Sequence, residues 1–117
     1  MWGVILRRIS VLVGVALLVL AGCAVSQEKY ETAQVALDGS PKLRSMAVAD
    51  CVKKANPSKR DMEVMAALTN SSVSSVKTVV CRRIVTAVSS GRLSYADYRA
   101  YMAGRPTPNL IRILQGR

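Results

Sequence analysis

From Pro41 to Arg117 the apolar residues recur at spacings of three and four, and no two-residue alternation runs long enough for a sheet strand. Ser40 can cap a helix with Pro41 in its first position. Ala47, Val48, Cys51, Val52 and Ala55 then share a face, and Asn56-Pro57 ends the segment because proline disfavours helical geometry in the residue before it. Ser58-Lys59-Arg60-Asp61 has the form of a capping box and opens a second helix, with Met62, Met65, Ala66 and Thr69 on one side and an end near Asn70. Ser71 or Ser72 is the expected start of a third. Val73, Val76, Val80, Ile84 and Ala87 form its stripe, Arg82 and Arg83 point away from it, and Gly91 closes it. Ser94-Tyr95-Ala96-Asp97 is a second capping-box pattern, opening a short helix to about Met102. Pro106 and Pro108 mark a loop before an amphipathic tail of Leu110, Ile111, Ile113 and Leu114. The pattern predicts an all-α fold, a small four-to-five-helix bundle or orthogonal array.

The segment before Pro41 reads differently. Residues 24–40 are polar with mixed charges and finish in the turn cluster Asp38-Gly39-Ser40-Pro41, which predicts a flexible tether. Ahead of it stand Arg7 and Arg8, an apolar run from Ile9 to Leu20, and the small residues Ala21 and Gly22. That run is short of the ~20 residues a spanning helix needs, and a basic start, short apolar middle and small-residue end describe an export signal.

Leu20-Ala21-Gly22-Cys23 resembles the lipobox of bacterial lipoproteins. The resemblance covers residues 1–23. It implies cleavage after Gly22, a diacylglycerol on the Cys23 sulfur and an acylated amino terminus, so that the lipid holds the chain on a membrane. It further implies a cell-envelope location, with Ala24 in place of Asp favouring the outer membrane facing the periplasm. The expected organisation is a signal peptide over 1–22, a lipidated cysteine and tether over 23–40, and a basic helical domain over 41–117. With Cys23 lipidated, Cys51 and Cys81 are the two thiols left in an oxidising compartment, and a Cys51–Cys81 disulfide is expected to staple a domain that has no Phe to enlarge its core.

Charge and candidate chemistry narrow the function. The chain of 117 residues has 17 Lys+Arg against 7 Asp+Glu, a formal charge of +10, and no His. Lacking His, it lacks the commonest general base and a common zinc ligand. Ser74-Ser75-Val76-Lys77 matches the Ser-x-x-Lys of penicillin-binding enzymes, yet Lys77-Thr78-Val79 lacks the companion glycine and no Ser-Asp-Asn occurs. The stretch around Gly91 resembles half of an EF-hand loop, but Val88 falls where calcium requires an oxygen ligand. No catalytic residue, metal or cofactor is expected, and the chain reads as a non-enzyme. The basic residues suggest an anionic partner, with Arg82, Arg83, Arg92, Arg99 and Arg105 as candidate contacts. Export argues against nucleic acid. Peptidoglycan, lipopolysaccharide or an acidic envelope protein is the expected partner of a structural or interaction module. The alternative is a small inhibitor or immunity lipoprotein that blocks an enzyme or toxin. Tyr95, Tyr98 and Met102 share a face and are expected to complete the core.

Overall fold

The computed structural model describes residues 25–117, so Cys23 and the export signal lie outside the described residues. Among the described residues the fold is all-helical: α1 (Gln27–Asp38), α2 (Pro41–Lys54), α3 (Lys59–Thr69), α4 (Val76–Ser89), α5 (Tyr95–Met102) and α6 (Pro108–Leu114). None of these helices is long and apolar enough to cross a membrane.

Local sequence chemistry sets most of the helix starts. Ser40, Ser58, Ser94 and Thr107 adopt extended backbone, and each side-chain oxygen accepts the backbone N–H three residues on, at Leu43, Asp61, Asp97 and Leu110. Pro41 and Pro108 occupy the first helical position of α2 and α6, where their missing N–H costs nothing. At Ser94 the box closes reciprocally, the Ser94 backbone N–H donating to Asp97 Oδ2 at 3.2 Å. Asn70 ends α3 in the left-handed region at φ 53°. Gly91 turns the chain after α4 at φ 80°, so that Leu93 N–H returns to Ala87 C=O at 3.0 Å.

The core is made where α4 meets α6 and the α4–α5 corner. Ala87, Leu93, Leu110, Ile113 and Leu114 are buried together, with Met65 and Leu68 of α3 and Val80, Ile84 and Val88 of α4 packed against them. Thr69 is fully buried, and its hydroxyl donates to Met65 C=O at 2.7 Å, so its polar atom is satisfied within α3.

Helix α2 contributes no buried side chain. Its half-buried face carries Ala47, Val48, Cys51 and Val52, and Cys51 is bonded to the buried Cys81 of α4 with the two Cα atoms 5.9 Å apart. The disulfide joins the expected pair.

Three expectations change. Residues 27–38 form a helix capped by Ser26 rather than a tether, because Tyr30 finds a buried place against the α4–α5 corner that a pattern search of a polar segment does not reveal. Helix α4 begins at Val76, since Ser72 to Ser75 form a turn held by their own hydroxyls, and Val73 is left exposed. Met102 is exposed, and Tyr95 and Tyr98 are only half-buried, so the expected face of α5 does not complete the core.

Candidate functional site

The candidate cationic contacts are scattered by the fold. Arg83 turns inward: its guanidinium donates to Thr69 C=O at 2.9 Å and also to Leu114 C=O, gathering the C-terminal ends of α3 and α6 onto α4. Those carbonyls carry the negative ends of two helix dipoles, so a half-buried cation is well placed there. Gly116 lies against the same guanidinium, where a Cβ would stand 3.2 Å from its carbon. The expectation that Arg83 points away from the packed face is therefore corrected: its long stem crosses the core edge and its head is consumed by backbone. Arg92 donates to the C=O of Arg117 and closes the C-terminus onto the α4–α5 turn. Arg99 stands over the Tyr95 ring at 5.9 Å. Arg82, Arg99 and Arg105 are exposed. Lys54 and Asp50 on α2, 2.9 Å apart, form the one ion pair among the described residues, so most of the positive charge meets water without a carboxylate partner.

Tyrosines organise the opposite end. Tyr30 of α1 packs between Tyr95 and Tyr98 of α5, with ring centroids 5.7 Å and 5.3 Å away. The Tyr30 hydroxyl donates to Leu93 C=O at 2.6 Å, and the Tyr95 hydroxyl donates to Val25 C=O at 2.8 Å. Burial, helped by the nearby Asp97 and Tyr98, pushes the Tyr30 hydroxyl up to about 12, so it stays a donor across the neutral range. Asp97 is the polar hub beneath. Burial pushes its carboxyl up, but hydrogen bonds from Thr107 at 2.7 Å, Asn109 at 2.9 Å and the Ser94 backbone and hydroxyl outweigh it and bring the group to about 2. Asn109 also donates to Arg92 C=O, which ties α6 to the α4–α5 turn. These bonds fix structure and keep the Asp97 carboxylate charged at neutral pH.

Between α1 and the core lies a cavity of about 700 Å³, open on one side. Its floor is aliphatic: Met65 from α3, Val80, Ile84 and Val88 from α4, Leu110 and Leu114 from α6. Ala33 and Ala36 of α1 form the facing wall, their small side chains keeping the helix from filling the space. The rim is the first turn of α1, with Ser26, Glu28 and Lys29, close to where the chain enters at Val25. No buried side-chain nitrogen or oxygen among the described residues lacks a hydrogen-bond partner, so no buried side-chain polar group there waits for a ligand. Sequence reasoning left this site unassigned, because its lining comes from five helices and α1 was read as tether. The small residues Ala33 and Ala36 on the Tyr30 side were the available signal.

Comparison with known protein families, with known proteins and with solved structures returns no match for this chain.

Proposed function

We propose that the protein is an exported, lipid-anchored module of the bacterial cell envelope, held through Cys23, probing an anionic envelope component with its basic surface. The observation that carries this reading is the imbalance of charge on the folded domain: one ion pair among the described residues, against the +8 that remains of the chain's formal +10 once Arg7 and Arg8 are set aside. A surface of unpaired cations attracts polyanions and steers them over distances up to a Debye length. The disulfide supports the compartment, since such bonds persist where the milieu is oxidising. Of the candidate contacts, Arg82, Arg99 and Arg105 remain available to a partner, while Arg83 and Arg92 serve the fold.

The test uses the full-length lipoprotein in mild detergent, co-sedimented with purified peptidoglycan over a salt series. Saturable binding that persists at physiological ionic strength, and falls severalfold when Arg82, Arg99 and Arg105 are together replaced by Gln, is the expected result. Binding that vanishes with modest salt, or is indifferent to those three arginines, removes the wall as the partner and points to an envelope protein instead.

A further inference from the structure

The basic surface gives no reason for the cavity beneath α1. The cavity is open on one side, and its volume of about 700 Å³ lies within the ~300–1,000 Å³ range of sites that hold small molecules. Its floor offers aliphatic side chains from three helices and no charged group. The Tyr30 hydroxyl at its edge is committed to Leu93 C=O. Thr32, Tyr98 and Tyr101 also line the space, but most of the lining is apolar, and a ligand that carried a charged group against the aliphatic floor would lose its water without replacement. The part that enters is therefore hydrocarbon. The rim has a different character. Ser26 is the cap of a twelve-residue helix, so the positive end of the α1 dipole and the Lys29 ammonium both lie at the opening. Glu28 is also there, on an exposed position of the same turn.

We propose that the cavity holds the chain of a long-chain fatty carboxylate, with the carboxylate at the α1 rim beside Lys29. The fit is one of chemistry at both ends: an aliphatic floor, and a mouth that holds the positive end of the α1 dipole and the Lys29 ammonium. The inference stands on the cavity and is independent of what the arginine surface binds.

The probe is a palmitate carrying a photoactivatable diazirine on its chain, added to the purified full-length protein in amphipol. Crosslinks are expected in the peptides bearing Met65, Val80 to Val88 and Leu110 to Leu114. Unlabelled palmitate should compete at least tenfold better than its methyl ester. Ala33→Trp, placed at an exposed position of the cavity wall, should cut labelling at least tenfold with the helical circular dichroism and the disulfide retained; Ala33→Ser should leave it intact. Labelling spread over the whole surface, or unchanged by both free palmitate and Ala33→Trp, overturns the proposal. Equal competition by the methyl ester overturns the carboxylate assignment. If the wild-type protein resists labelling and Cys23→Ser accepts it, the occupant is the protein's own acyl chain and a separate fatty acid is excluded.

Discussion

Asp97 shows how a single side chain can be both a local signal and a long-range tie. Its place three residues after Ser94 makes it half of a capping box, which is legible in four residues of sequence. Its second role, accepting hydrogen bonds from Thr107 and Asn109, needs the α5–α6 loop to fold back and is not legible there. The bonds lower its folded pKa to about 2, below the ordinary 3.8, so the stability they confer is present at pH above ~4 and is lost as pH falls from there toward 2. Asp97→Asn should be less stable than wild type at pH 7, and the gap should narrow steadily between pH 4 and pH 2 in urea unfolding followed by circular dichroism. A gap of constant size over that range would mean that the carboxylate charge contributes nothing. Arg83 makes the complementary point: its charge predicted a solvated position, yet two helix ends supply carbonyls that hold it better than water does at that depth.

At the scale of elements, α2 depends on a covalent bond. It buries no side chain, and Ala47, Val48, Cys51 and Val52 on its apolar face are only half-buried. Its polar ties are Arg44, which donates to Leu37 C=O and Asp38 C=O at the end of α1 and so fixes the α1–α2 corner, and Lys77 of α4, which donates to the C=O of the cap residue Ala55 at 3.3 Å. The disulfide closes a loop of 30 positions, which in the chain-entropy account contributes roughly 3–4 kcal/mol. Cys51→Ala with Cys81→Ala should therefore lose about that much stability. Hydrogen exchange should speed up first in α2, while the amides of α4 and α6 keep their relative protection. Uniform loss of protection across all helices would show instead that α2 is an integral part of the cooperative core. The paired serines of Ser72 to Ser75 illustrate a limit of element-level reading. Each is a credible cap, and the chain uses them to hold a turn, delaying α4 to Val76.

For the whole molecule, the decisive contact is Tyr30 with the α4–α5 corner, 63 positions along the chain. It brings α1 over the core and creates the cavity that α1 covers. With a folded pKa near 12 against the usual 10, Tyr30 favours the folded state below pH ~10, and that contribution is lost as pH rises from there toward 12. Tyr30→Phe retains the ring packing and leaves Leu93 C=O without its donor, so a loss of about 1 kcal/mol at pH 7 is expected. In alkaline titration the variant should unfold with a shallower pH dependence between pH 10 and 12. If Tyr30→Phe is as stable as wild type, α1 is held by ring packing and its capping bonds alone.

The sequence by itself determined that helices occupy the chain from Pro41 onward, and it determined the staple. Caps, prolines and three-and-four periodicity are interactions between residues a few positions apart, so Ser40-Pro41, Ser58, Ser94 and Gly91 carry their outcome in their immediate neighbours. The Cys51–Cys81 pairing is the one expected of an exported chain whose third cysteine is taken by lipid. The tertiary structure alone decided that residues 27–38 join the domain, that Arg83 turns onto the ends of two helices, and that five helices line an apolar cavity open on one side. These depend on groups brought together from distant positions. The physical reason is that burial and shared hydrogen bonding are properties of the assembled surface, and a weakly amphipathic segment such as α1 becomes a helix with a purpose only when one tyrosine finds its carbonyl across the chain.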